Sequence, residues 1–309
     1  MKGLGSFTGC RSTKRVEDIP ESGEIYVHLG CLAKAKYPSI EYSAVKTLEL
    51  LGFKPATSYE EVCCGGILYL SGFTSFKSLA AFTGWNTWLA SKHSKHIASV
   101  CDTCYSTYLE VLKHIGESEI KGEVEEALAK VGVKPAWDVK IFQLAEIYYR
   151  VKDKILGLMK HSLNGVKIAV HHGCHYSKAY PEEVLGRPES VRFLEELVES
   201  LGGEPVEYAE RNLCCGACFA ISASYDRKAS LKTTEAKLGS MIDGGAELIL
   251  VTCPGCMATF DEAPLKVGLP VLHVAELVGL ILGLDRLPSM VFEGRRRSFD
   301  LSKILMAAK

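Results

Sequence analysis

The sequence predicts an α/β protein built from two homologous domains related by an internal repeat. Three observations predict it. The cysteines are spaced twice in one pattern, matched short apolar runs lead into them, and helical and strand-like segments alternate between them. With 309 residues, 47% of them hydrophobic, and a formal net charge of −1, the chain can bury a sizeable core and fits about two domains.

In chain order, residues 1–23 are polar and rich in Gly and Ser. They lack the apolar run of a secretory signal and are expected to form a loose leader or partner-contacting arm. "EIYVHLGC" (24–31) then reads as a strand ending at a histidine and Gly-Cys. It is matched in the second half by "KIAVHHGC" (167–174). "SIEYSAVKTLELLGF" carries Ala44, Val45, Leu48 and Leu51 near helical spacing and stops at a glycine, as does its counterpart "ESVRFLEELVESLGG". "IASVCDTCYSTYLE" (97–110) and "ILVTCPGCMATFDE" (249–262) each read as a β-rich run entering Cys-x-x-Cys. "DRKASLKTTEAKLGSMIDGGAELILV" reads as helix, glycine stop and strand. A polar, helical stretch ending in "FQLAEIYYRVKDKIL" joins the copies, and its last part has the periodicity of a packed helix. The expected division is a leader (1–23), an N-terminal domain with linking helices (24–150), a C-terminal domain (151–290) and a basic tail (291–309).

Setting aside Cys10 and Cys218, the ten remaining cysteines form C-x31-CC-x36-C-x2-C and then C-x39-CC-x37-C-x2-C. Scattered buried thiols predict no such repeat, and a chain of this size is unlike the short, core-poor disulfide scaffolds of secreted proteins. The cysteines fall just after strands, at the carboxyl edge where open α/β sheets place their sites. Structural zinc takes four ligands, usually as two knuckles, and an ordinary cubane cluster also takes four thiolates. Each copy offers five. Either one thiol is surplus, or the cluster is not a cubane and some irons take more than one thiolate. Adjacent sulfurs can diverge toward different irons or bridge two of them. The spacing favours iron–sulfur over zinc.

"LGCLAKAKYPSIE", "CCGG", "CDTCYSTYLEV", "IAVHHGCHYSKAYPEEVLGRPES", "LCCGA" and "CPGCMATFDE" together resemble the cysteine-rich CCG domain, twice over, as in the B-type subunit of soluble heterodisulfide reductases. The resemblance covers about residues 24–285. It implies two Rossmann-like CCG domains, each holding a non-cubane 4Fe-4S cluster through five cysteines. The first set is Cys31, Cys63, Cys64, Cys101 and Cys104; the second is Cys174, Cys214, Cys215, Cys253 and Cys256. It further implies cleavage of the coenzyme M–coenzyme B disulfide between the clusters. Electrons come from a ferredoxin-like C-type subunit that carries 4Fe-4S clusters, and a flavin-containing A-type subunit lies behind it. Alternatives within the family are a protein trisulfide or sulfane sulfur as substrate, or a quinone-linked succinate or fumarate complex. Outside it stands a zinc-stabilised N-terminal half beside one cluster in the C-terminal half.

Disulfide reduction takes two electrons, whereas a cluster passes one, which gives the duplication a purpose: one cluster for each sulfur. The released thiolates need protons. His172 and His175 flank Cys174, and His175 is the candidate donor; His28 and His171 precede their cysteines at equivalent positions and alternatively bond backbone or cluster sulfur. Lys34, Lys36, Lys178 and Arg211 are candidate anchors for an anionic substrate, against the alternative of solvated charges. Cys218 is either a sixth thiol or packing, and Cys10 is not expected to be catalytic. Trp85 and Trp88, with Phe82 and Leu89, read as core or partner packing. Arg295, Arg296 and Arg297 read as an exposed, solvated run. No G-x-G-x-x-G follows a strand, no basic patch is interleaved with aromatics, and "LVGLILGL" falls far short of a membrane span. A cytoplasmic subunit without nucleic-acid contact is the expectation.

Overall fold

The computed structural model describes residues 14–117, 119–217, 223–266, 268–304 and 306–307, so Cys10 and Cys218 lie outside the described residues. In the first half, strands β1 (Gly23–His28), β2 (Phe53–Ala56), β3 (His96–Ser99) and β4 (Lys140–Gln143) form a sheet in the order β2-β1-β3-β4. A short strand β5 (His161–Ser162) follows. The second half then repeats the plan with β6 (Lys167–His171), β7 (Glu204–Pro205), β8 (Leu248–Val251) and β9 (Val271–His273), in the order β7-β6-β8-β9. Every ladder in both sheets is parallel. The fold is the doubled α/β arrangement that the repeat predicts.

Strand register sets where the cysteines go. His28 pairs with Ser99 at the end of β1 and β3, and His171 pairs with Val251 at the end of β6 and β8. The Gly-Cys that follows β1 or β6 therefore emerges beside the Cys-x-x-Cys that follows β3 or β8. Cys101 and Cys253 each hold extended backbone and cap the N-terminus of the next helix, Asp102–His114 and Pro254–Glu262. The central strands are buried on both faces, as parallel strands flanked by helices must be: all four residues of β8 are inaccessible, and so are the last four of β6.

The helix after the last strand of each four-stranded sheet crosses to the other half. Leu144–Arg150, after β4, packs on Phe193–Ser200 of the second half; Val274–Ile281, after β9, packs on Pro38–Leu50 of the first. Both crossing helices open with a capping box, Gln143 with Glu146 and His273 with Glu276.

Three local expectations are corrected. The joining stretch supplies β4, so "FQLAEIYYRVKDKIL" begins as strand and then breaks at Val151 into Leu144–Arg150 and Lys152–Leu158. The Gln143–Glu146 box is what ends the strand and starts the helix there. At the end of the leader, Lys14 is not loose: its Nζ reaches Glu146 Oε2 at 2.7 Å and Tyr105 Oη at 2.9 Å, because a carboxylate with no exposure needs a cation. Nor are Arg295 to Arg297 a solvated run. The Arg295 side chain is buried against Glu276 and donates to Val271 O at 2.7 Å, and Arg297 donates to Asp261 O at 2.9 Å; only Arg296 stays exposed. Further on, β10 (Met306–Ala307) pairs antiparallel with β5. Among the described residues no helix is long and apolar enough to cross a membrane.

Candidate functional site

The ten repeat cysteines converge where the carboxyl edges of the two sheets face each other, and none is in a disulfide. In the first nest Cys31 Sγ lies 3.6 Å from Cys63 Sγ; in the second Cys174 Sγ lies 3.8 Å from Cys214 Sγ. The second member of each pair turns inward instead: Cys64 neighbours Cys104, and Cys215 neighbours Cys256. Adjacent cysteines thus stay near each other yet reach different partners in their nest. The turn after each pair needs glycine, with φ +74° at Gly65 and +99° at Gly216. The nests touch through Cys101 and Cys253, whose sulfurs are 3.7 Å apart.

Nine of the ten cysteines line one cavity of about 460 Å³, walled otherwise by Leu29, Leu32, Ile67, Leu68 and Pro254 among others, with Asp102, Thr103 and His175 as its polar members. Cys31 and Cys63 are exposed at its rim, while Cys64, Cys104, Cys215, Cys253 and Cys256 are buried.

The donor set fits a multi-iron group better than it fits empty thiols. The sulfurs beside Cys104 and Cys256, together with burial, push both thiols well above the ordinary range. Five thiolates cannot ionise side by side unless a cation neutralises them. Two buried atoms point the same way: Nε2 of His28 and Nε2 of His171 have no hydrogen-bond partner among the described residues. His171 brings a ring nitrogen to within 4.8 Å of the Cys215 and Cys256 sulfurs. Gly30, at φ +69°, leaves the room that a Cβ would take 3.0 Å from Cys104 Sγ and 3.9 Å from His28 Nε2. An N–H facing sulfur in each nest is the bond that both histidines lack.

The flanking histidines divide by partner. His28 Nδ1 lies 3.3 Å from Tyr108 Oη and 3.3 Å from Glu61 Oε1. His171 packs edge-on against Phe260, and burial holds it well below the usual imidazole range. His172 turns away from the cavity to Glu195, with Nε2 at 2.7 Å from the carboxylate. His175 faces the cavity, its Nδ1 3.2 Å from Ser106 Oγ across the two halves, and burial lowers its pKa.

The four candidate anchoring cations all have internal partners. Lys34 Nζ donates to Ser58 O at 2.6 Å and lies 3.4 Å from Glu61 Oε2; Lys36 pairs with Glu262. Lys178 donates to Asn212 O at 2.5 Å, and Arg211 binds Glu195 through Nε at 3.1 Å. Trp85 donates Nε1 to Glu60 O at 2.9 Å and meets Trp88 edge-on, on the helix behind the first nest.

Sequence reading missed Asp102, Glu61 and Lys237. Asp102 stands inside the first knuckle and on the cavity wall. It accepts from Thr252 Oγ1 at 2.8 Å and Gln143 Nε2 at 3.1 Å, and burial, followed by the neighbouring Cys253, pushes its carboxyl well above the usual range. A charged residue within Cys-x-x-Cys, opposite Pro254 in the other copy, was the available signal. Glu61 is raised by burial but pulled below the ordinary carboxylate range by His28 and Lys34. Lys237 is a lysine in a helix with weak amphipathic patterning, and nothing in its local sequence marks it.

The family model for the CCG cysteine-rich domain matches residues 25–108 and 168–261. Among curated proteins, the chain is 30% identical over 177 residues to the B-type subunit of a ferredoxin/F(420)H(2)-dependent CoB-CoM heterodisulfide reductase of Methanosarcina acetivorans. That match covers 54% of this chain and 58% of the relative, less than two thirds of its length. It is 28% identical over 270 residues to the B-type subunit of a ferredoxin:CoB-CoM heterodisulfide reductase of Methanosarcina mazei, covering 84% of this chain and 89% of that one. A hypothetical protein from Helicobacter pylori has a similar fold, with a TM-score of 0.67 at 14% identity over 91% of this chain and 53% of that one.

Proposed function

Since the chain belongs to the cysteine-rich CCG domain family, we propose that it is the disulfide-reducing subunit of an oxidoreductase complex. Its two sulfur nests each hold one non-cubane 4Fe-4S cluster, the first through Cys31, Cys63, Cys64, Cys101 and Cys104, the second through Cys174, Cys214, Cys215, Cys253 and Cys256. The observation that carries this reading is the meeting of the nests: Cys101 and Cys253 sulfurs 3.7 Å apart, on one shared cavity.

The clusters, when bound, supply two single electrons and iron sites for two sulfurs. The chain supplies the rest. A cavity walled by Leu29, Leu32, Ile67, Leu68 and Pro254 excludes water from a reacting disulfide. Cleavage of R–S–S–R′ takes two electrons and two protons and gives RSH and R′SH. His175, fixed by Ser106 on the cavity wall beside Cys174, is the residue assigned to proton delivery. The coenzyme M–coenzyme B heterodisulfide is the substrate by resemblance to the named relatives, and the motif resemblance adds ferredoxin-like and flavin-containing subunits as electron partners. The exposed sulfurs of Cys31 and Cys63 give the first nest an outer face at which such a partner can approach.

Anaerobically purified protein should carry about eight irons and matching sulfide per chain, and oxidise reduced viologen dye only when the heterodisulfide is added. Cys215→Ser should abolish dye oxidation while about four irons remain. His175→Gln should keep the iron and lose roughly 10²-fold in turnover. A four-iron, one-zinc protein, or full turnover in Cys215→Ser, overturns the two-cluster reading.

A further inference from the structure

The halves follow one plan, and they part company in charge behind the cysteine pairs. In the first half, buried Asn86 clamps the residue before the pair: Nδ2 donates to Val62 O at 3.0 Å, and Oδ1 accepts from Val62 N at 3.0 Å. Twenty-four residues separate the two. The same separation in the second half, counted from Leu213, leads to Lys237. Its Nζ donates to the carbonyls of Glu210, Arg211 and Leu213 at 2.8, 2.7 and 2.9 Å, with no exposure at all.

Three carbonyl acceptors use three N–H donors, which only the ammonium form possesses; a neutral amine would turn its lone pair toward an oxygen. Burial lowers the Lys237 pKa to about 8, and the Cys256, Cys215 and Cys214 sulfurs act against that fall. No carboxylate pairs with Lys237 among the described residues. The charged pairs Glu61–Lys34 in the first half and Glu195–Arg211 in the second balance, whereas Lys237 has no such partner among the described residues.

We propose that Lys237 sets a fixed positive charge behind the second nest and makes the cluster held there the more easily reduced of the two. Electrons reaching the chain then settle in the second half, and the two matched nests have unequal roles. Adding an electron beside a buried cation is favourable because little solvent screens the interaction, and net charge and burial are among the levers that set cluster potentials. This inference rests on the two-cluster reading above.

The test is a redox titration of the anaerobic full-length protein, followed by electron paramagnetic resonance, with signals assigned through Cys64→Ala and Cys215→Ala. In the unaltered protein the second cluster should have the higher midpoint. Lys237→Asn, which installs the counterpart's residue, should lower that midpoint and leave the first unmoved. Lys237→Arg, which keeps the charge, should restore it. A purely structural clamp would move no potential in iron-replete protein. An unshifted midpoint in iron-replete Lys237→Asn, or a higher first cluster in the unaltered protein, overturns the proposal. If Lys237→Asn loses its second cluster, Asn86→Lys decides: a raised first midpoint supports the assignment, and an unmoved one ends it. An iron count of zero in the unaltered protein would strike the two-cluster reading itself.

Discussion

At Gly173 the backbone has φ +76°, and a Cβ there would lie 2.0 Å from Oδ2 of Asp102, an atom fixed by Thr252 from the second half. With ψ 141° beside that positive φ, the backbone is open essentially to glycine alone and costs another residue about 1–3 kcal/mol. The overlap with a hydrogen-bonded, buried carboxyl adds to that, because Asp102 has nowhere to retreat. Gly173→Ala should therefore lower the thermal midpoint by several degrees and deplete iron from the second nest. A normal melting curve with full iron content would show that Asp102 yields. The Gly-Cys dipeptide in each copy was legible in the amino-acid order alone, and so were the ten sulfur positions. The reason for Gly173 was not, because the atoms that forbid its side chain belong to the other half of the chain. The same holds for the histidines. His171 and His172 are neighbours of one type, yet one faces the sulfurs and the other Glu195, and only strand register decides which.

Among the elements, the helices that follow β4 and β9 tie the halves together. Both start at a capping box whose acid is fully buried and reaches the opposite half: Glu146 accepts from Tyr176 Oη at 2.8 Å, and Glu276 from Ser39 Oγ at 2.6 Å. Each acid also meets a cation from a segment that composition marked as a polar terminus, Lys14 for Glu146 and Arg295 for Glu276. Sequence patterning read the first as a loose leader or partner-contacting arm and the second as a solvated tail, because local composition does not reveal that a buried carboxylate elsewhere needs a partner. Removing one member leaves an uncompensated buried charge, so Arg295→Met should destabilise the fold by roughly 3–5 kcal/mol. Adding Glu276→Gln should recover much of that loss, since the amide still bonds Ser39 and the backbone N–H of His273 can be satisfied by its carbonyl. Chemical denaturation of both variants checks it; an Arg295→Met cost below about 1 kcal/mol would mean that the pair is solvated.

For the molecule as a whole, the question is whether the two copies are separate folding units, as a tandem repeat suggests. All eight residues of Val274–Ile281 are buried. A helix buried on every side cannot belong to one sheet alone. One face lies over β8 and β9, and another meets Pro38–Leu50 of the first half. Leu144–Arg150 makes the reciprocal bridge to Phe193–Ser200. Hydrogen bonds reinforce the seam at the site: Gln143 Nε2 donates to Thr252 O at 2.9 Å, and His273 Nε2 lies 2.9 Å from Val100 O, each reaching the residue just before the other half's knuckle. Positioning of Cys101 thus depends on the second half, and that of Cys253 on the first. Residues 24–150 and 151–290, expressed separately, should each expose an apolar helix face, bind a hydrophobic dye and hold little iron. Expressed together under anaerobic conditions they should associate and recover iron toward about eight per pair. Should either fragment alone give a cooperative unfolding transition and four stably bound irons, each nest would be self-sufficient, and the exchanged helices would serve only to hold the two nests face to face.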